Sequence, residues 1–205
     1  MVQPVSKSDL TSETDPSVAK QYDTKTPIDK QVDELYETID RLSIGLLTTI
    51  RSDLGPVSRS MAVAKRAGPD ILFLYNIHSK KHTDLSSNPT AQITFQDSTT
   101  QDWISLTGVA TTFSNDDARI KDLYNPTVKA WFGDLGDGKH TGGPEDPRMG
   151  LIEIKAKYVT YWLHTVDKEG FEKEVGKASE TGQVAQTGVT REIGEKDLEA
   201  ARKKA

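Results

Sequence analysis

Apolar positions recur along this chain with two different periods, and the change between them comes at residue 43. Before it, Ile28, Val32, Leu35, Tyr36, Ile39 and Leu42 stand at the spacing that lines one face of a helix. Thr26-Pro27-Ile28-Asp29 supplies the start, with Thr26 as cap, Pro27 at the first helical position and Asp29 closing a capping box. After residue 43 the apolar runs are short, β-branched and separated by turn residues. Ile44–Ile50 is bounded by Ser52-Asp53-Leu54-Gly55-Pro56. Val57–Lys65 alternates, with Arg59, Met61 and Val63 on an inward face and Ser58, Ser60 and Ala62 on the other. A turn at Arg66-Ala67-Gly68-Pro69-Asp70 leads to a strand over Ile71–Ile77. A short helix over Lys80–Ser87 stops at Asn88-Pro89. Thr90–Gln96 and Trp103–Phe113 read as strands, and Met149–His164 as a strand interrupted near Ala156.

Between the last two strands, Ser114-Asn115-Asp116-Asp117 caps a helix ending near Tyr124, and residues 133–147 form a loop with glycine at 133, 136, 138, 142 and 143. The two ends lack any apolar period. Residues 1–25, rich in Ser, Thr, Asp and Lys, predict a mobile arm. Residues 171–205 predict a polar, largely disordered tail, with a short helix over Glu195–Lys203. Residues 26–170 are then one domain. Strands that follow one another through tight turns favour an antiparallel sheet or barrel over βαβ units, so the fold class is mainly β (α+β).

The length of 205 residues suits one sizeable core. A net charge of −5 gives no overall basic surface, so a nucleic-acid partner is not expected. With no cysteine there is no disulfide, thiol nucleophile or thiolate metal site. No run approaches the roughly 20 apolar residues of a membrane span, and the first residues lack a signal-peptide core. A cytoplasmic protein without a membrane partner is the expectation.

Three segments carry candidate chemistry. In Tyr75-Asn76-Ile77-His78-Ser79-Lys80-Lys81 a strand ends and a helix begins, so backbone N–H groups, the Ser79 hydroxyl and two ammonium groups could converge on a phosphate. The same residues also read as an ordinary cap followed by surface lysines. Arg59, mid-strand on what reads as the inward face, needs an anionic partner there, which a bound phosphate or a protein carboxylate would supply; the other reading puts it on the outer face. Trp103 opens the strand Trp103–Ala110 and could pack on a ligand ring, on a neighbouring chain or in a core, while Gly108 would permit close backbone approach or a bend. His78 and His82 are four apart, but the strand-to-helix break argues against a shared metal face. No nucleophile–histidine–acid set, dinucleotide glycine pattern or P-loop is present.

In this order the segments resemble the pyridoxamine 5′-phosphate oxidase-like, FMN-binding split barrels, and within them the general stress protein subgroup that includes blue-light-inducible proteins of fungi. The resemblance spans about residues 28–165. It rests on Arg59-Ser60-Met61, on Phe73-Leu74-Tyr75-Asn76-Ile77-His78-Ser79-Lys80-Lys81 with Asn88-Pro89 after it, and on Trp103–Ala110. Trp131-Phe132 and Tyr158–Trp162 are similar to the subgroup as well.

The resemblance implies a six-stranded antiparallel split β-barrel, usually a homodimer with flavin along the subunit interface. It places Arg59, Ser79, Lys80 and Lys81 at the FMN phosphate, and Ser60, Met61, Leu74 and Tyr75 along the ribityl chain and ring. Trp103 falls where the oxidases carry a ring-facing glutamine. FAD would suit the same pocket. Two departures separate the chain from true oxidases. Ala64 and Lys65 stand where those end the arginine strand in a basic residue, and nothing after Phe171 matches their flavin-gripping Trp and Arg segment. The implied function is a stress-related flavin-dependent oxidoreductase acting on something other than pyridoxamine phosphate. The alternatives are a non-enzymatic flavin reservoir or sensor, and a haem barrel using His78 or His82.

Overall fold

The computed structural model describes Thr11, Glu13 and residues 15–204, so residues 1–10, 12 and 14 of the expected N-terminal arm lie outside the described residues. What is described of that arm is built. Helix α1 (Pro16–Gln21) starts under Asp15, whose carboxylate accepts from the Val18 amide at 3.1 Å. Tyr22 then bridges to Thr190. Helix α2 (Ile28–Leu42) follows the apolar period, burying Val32, Leu35 and Ile39. Pro27 rather than Thr26 takes its cap position, because Asp23 accepts from both the amide and the hydroxyl of Thr26.

Strands β1 (Ile44–Arg51), β2 (Gly55–Ala62), β3 (Lys65–Ala67) and β4 (Asp70–Asn76) follow in succession. Helix α3 (Lys80–Ser87) separates them from β5 (Thr90–Gln96) and β6 (Trp103–Phe113). Next come α4 (Arg119–Leu123), a 3-10 turn (Pro126–Val128), α5 (Lys129–Phe132), the glycine-rich loop and β7 (Met149–His164). Helix α6 (Lys168–Thr181), strand β8 (Gly188–Ile193) and helix α7 (Glu195–Lys204) complete the described chain. No described helix is long and apolar enough to cross a membrane.

All strands pair antiparallel in the order β2-β1-β5-β6-β7-β4-β3, with β8 on β7. The two outer strands of that path, β2 and β3, are consecutive in the chain. Between them the Val63 amide donates to Ser43 O at 2.9 Å and the Ala64 amide to Leu72 O at 2.8 Å. The sheet therefore curls until its edges meet through residues 63–64, which makes the antiparallel split barrel. Two strands extend the six expected: β3, only three residues long, and β8. The interruption near Ala156 is a bulge. The β6–β7 ladder pairs Thr107 with Tyr158 but Gly108 with Ala156, leaving Lys157 over. Gly108 is required there, since a Cβ would lie 2.3 Å from Lys155 O.

The barrel interior holds Leu47, Ile71, Phe73, Phe95, Ile104, Leu106, Val159 and Tyr161, all fully buried, with α2 closing it through Leu35 and Ile39. Each such side chain contributes about 1.5–3 kcal/mol on burial. A second cluster, Leu72, Ile120, Met149 and Leu151, sits on the other face of β4 and β7 under α4.

The expected disordered tail is instead folded. Ile193 and Leu198 are completely buried, Arg191 pairs with Asp23, and Arg202 with Asp70. The segment holds few apolar residues, which is why its composition reads as disorder. Ile193 and Leu198 among them join the barrel core, and the β7 backbone satisfies β8. The expected short C-terminal helix is α7, whereas α6 buries none of its residues.

Candidate functional site

Strands β1 and β2 and helix α3 bring one cluster of charges together. In the β1–β2 ladder Arg59 stands opposite Leu47, so alternation turns it inward with Met61, as expected from the sequence. The fixed position of Arg59 comes from three acceptors. One terminal nitrogen donates to Leu47 O at 3.1 Å and to the Thr49 hydroxyl at 2.8 Å. The other reaches Asp84 Oδ2 at 3.3 Å. The inward arginine thus has a protein carboxylate beside it.

Asp84 is the hub. It is buried on α3 and accepts from Thr49 Oγ1 at 2.8 Å, Arg51 Nε at 3.0 Å and the Arg51 terminal nitrogen at 3.1 Å, besides Arg59. Burial alone would raise its carboxyl. The hydrogen bonds from Arg51 and Thr49 and the nearby guanidinium charges outweigh burial and hold it below the ordinary range. Burial lowers the Arg59 guanidinium, as does Arg51, against the pull of Asp84. Lys81 is lowered by burial and then by Arg59, which places its ammonium in the same cationic field.

The start of α3 adds neutral donors. Ser79 is the N-cap residue, yet its side chain makes no capping bond. Its hydroxyl accepts from Lys81 Nζ at 3.1 Å. The Ser79 amide donates to Asn76 O, and the His82 amide to Ser79 O. Among the described residues no acceptor takes the amides of Lys80 and Lys81, the two that open the helix. Lys80 itself is exposed.

The remaining candidates divide by strand alternation. Tyr75 points into the barrel, 2% exposed, with its hydroxyl 2.7 Å from His82 Nδ1 and Lys81 Nζ 5.9 Å over its ring. Burial pushes its hydroxyl up to about 12. Leu74, its neighbour, faces the opposite way into the second cluster. Ser60 and Trp103 lie on the outer face of the sheet. Trp103 stands across from Trp162 and Gln96. Arg59, Ser79 and Lys81 therefore converge with Met61 and Tyr75 close by, while the side chains of Ser60, Leu74 and Trp103 point elsewhere.

Sequence reasoning missed Asp84, Thr49 and Arg51. A signal existed: Thr49 and Arg51 are two apart on one strand face, and Asp84 is one helical turn beyond Lys81. Only lateral pairing shows that those two faces meet. His78 is exposed and His82 is engaged with Tyr75. No group of three metal-ligating side chains occurs among the described residues.

Similarity to known proteins covers most of the chain. Residues 30–186 match the family described as pyridoxamine 5′-phosphate oxidase like. The chain is 38% identical over 191 residues to protein bli-3 of Neurospora crassa, covering 92% of this chain and 91% of that protein. The crystal structure of general stress protein 26 from Bacillus anthracis superposes with a TM-score of 0.55 at 24% identity, covering 64% of this chain and 92% of that one. A pyridoxamine 5′-phosphate oxidase-related, FMN-binding protein from Nostoc punctiforme superposes with a TM-score of 0.52 at 13% identity, over 84% and 100% of the two chains. These two structures share the fold. By the family match and the bli-3 identity, the chain belongs to the pyridoxamine 5′-phosphate oxidase-like family.

Proposed function

We propose that this protein is an FMN-binding flavoprotein, a stress-related oxidoreductase that holds the flavin phosphate on Arg59, Lys81, Ser79 and Lys80. The observation that carries this reading is the convergence of Arg59 and Lys81, two partly buried cations, on the opening turn of α3. Like charges held together out of water repel, and a phosphate dianion relieves that repulsion. The donor set suits such a group: a planar guanidinium, an ammonium, a hydroxyl and two helix-opening amides. The name of the Nostoc punctiforme relative supports a flavin as the phosphate's owner.

Met61 and Tyr75 are the side chains nearest this cluster to line the ribityl chain and ring, and Leu74 is left with its backbone for that task. Ser60 and Trp103 lie on the outer face with Ile44 and Leu46, which are 57% and 47% exposed. In the proposed homodimer this face meets a second copy. Bound flavin would supply hydride or electron transfer, and the chain supplies anchoring and orientation.

The test is the visible spectrum of purified protein with FMN, FAD or riboflavin added. FMN is expected to bind with perturbed flavin bands and riboflavin to bind far more weakly. Reduction of the bound flavin by a nicotinamide cofactor, followed by acceptor-dependent reoxidation, would support the oxidoreductase role. Absence of flavin uptake would overturn the reading.

A further inference from the structure

We propose that Asp84 is a specificity-determining residue of this site, an internal counter-ion that competes with an incoming phosphate for Arg59. The inference rests on the phosphate reading above and adds a residue that, on that reading, touches no ligand.

The four contacts of Asp84 are unequal. Arg51 holds it twice, at 3.0 and 3.1 Å, and Thr49 once at 2.8 Å. Arg59 is the most distant donor, at 3.3 Å. Arg59 is also located by Leu47 O and the Thr49 hydroxyl through its other terminal nitrogen. The Arg59–Asp84 contact can therefore break while each partner keeps the rest of its bonds. Asp84 would remain neutralised by Arg51, and Arg59 would stay in place with one arm released.

An anion that takes this arm must compete with a carboxylate already there. A singly charged anion offers Arg59 about what Asp84 offers. A phosphate monoester dianion carries twice the charge and three acceptor oxygens, and it also meets Lys81. Asp84 thus sets a threshold that favours phosphate monoesters over chloride or carboxylates. Without a bound anion it offsets the repulsion among Arg51, Arg59 and Lys81.

Asp84→Asn keeps the shape and removes the charge. FMN affinity is expected to rise about tenfold, the effect of one charge-assisted hydrogen bond no longer contested. Riboflavin, which lacks the phosphate, is expected to bind as before. The unfolding temperature of the ligand-free variant should fall, and inorganic phosphate should raise it more than in the wild type. Asp53→Asn removes an exposed carboxylate from the turn after Arg51 and controls for the general field, with a change of less than about twofold expected. If Asp84→Asn fails to fold, Arg51→Gln decides. It leaves Arg59 as the one guanidinium on Asp84, beside the Thr49 hydroxyl, so FMN affinity should fall and riboflavin affinity should not.

Unchanged or weaker FMN binding by Asp84→Asn, or parallel changes for FMN and riboflavin, would overturn the proposal. So would an equal effect of Asp53→Asn, or unaltered FMN binding by Arg51→Gln. The inorganic phosphate comparison needs no flavin. It tests Asp84 even if wild-type protein takes up no FMN, an outcome that would sink the flavin reading separately.

Discussion

Arg202 in the last helix holds Asp70, the first residue of β4, across 132 positions of sequence. Its Nε and one terminal nitrogen donate to the two carboxylate oxygens at 2.7 and 2.8 Å. The same terminal nitrogen reaches Ala156 O, whose residue in turn donates its amide to Asp70. Helix α7 is thereby fastened to β4 and to the bulge of β7 at once. Arg202→Ala leaves a nearly buried carboxylate with the Ala156 amide alone. A loss of about 1.5–3 kcal/mol is expected, read as a fall of several degrees in thermal unfolding temperature. An unchanged midpoint would mean that the Arg202–Asp70 pair contributes nothing to the stability of the barrel.

The two lysines of the proposed phosphate site should differ. Lys81 is partly buried and lies in the field of Arg59, whereas Lys80 is exposed. Lys81→Ala is expected to weaken FMN binding about tenfold or more, and Lys80→Ala about twofold to threefold. Fluorescence titration of FMN against each variant measures both. Equal effects would place the phosphate outside the Arg59–Lys81 cluster.

The proposed homodimer makes a prediction about the outer sheet face. Ile44 and Leu46 are exposed there beside Ala62 and Ser60, to which they are paired across the β1–β2 ladder. Leu46→Arg would bury a charge in that interface. Sedimentation should show a dimer for wild-type protein and a monomer for the variant, with unchanged far-ultraviolet circular dichroism. A wild-type monomer, or a variant that still dimerises, would assign the contact elsewhere.

Asp146 ties down the end of the glycine-rich loop. Its carboxylate is fully buried and accepts from the Arg148 side chain and from the amides of Arg148 and Gly142. Arg148 foremost lowers its carboxyl to about 2. A group with a depressed folded-state value stabilises the fold above its unfolded value, about 3.9. That contribution is lost as pH falls toward the folded value. Asp146→Asn should therefore lower the unfolding temperature at pH 7, and the gap to wild type should close between about pH 4 and pH 2. A gap independent of pH would show that the shape of the side chain matters and its charge does not.

Much of this fold is legible in the order of residues. The helix of Ile28–Leu42, the strands through Phe113 and the inward turn of Arg59 follow from periods that backbone geometry imposes within a few residues. The start of α3 at Ser79 is equally local. Gly108 could be suspected of close packing, but the Lys155 carbonyl against it belongs to a strand some forty-five residues away.

By itself, then, the sequence determined the main helices and strands between residues 28 and 164 and which residues share a face there, because those depend on neighbours along the chain. It also placed Arg59 and Ser79-Lys80-Lys81 as the phosphate candidates. Tertiary structure decided which faces meet. It set Asp84 between Arg51 and Arg59, turned Trp103 to the outside, and docked a polar tail on the far part of β7. The physical reason is that a carboxylate's partner and a tail's stability depend on strand register and on an unpaired strand edge. Both are settled only when segments distant in sequence pair side by side.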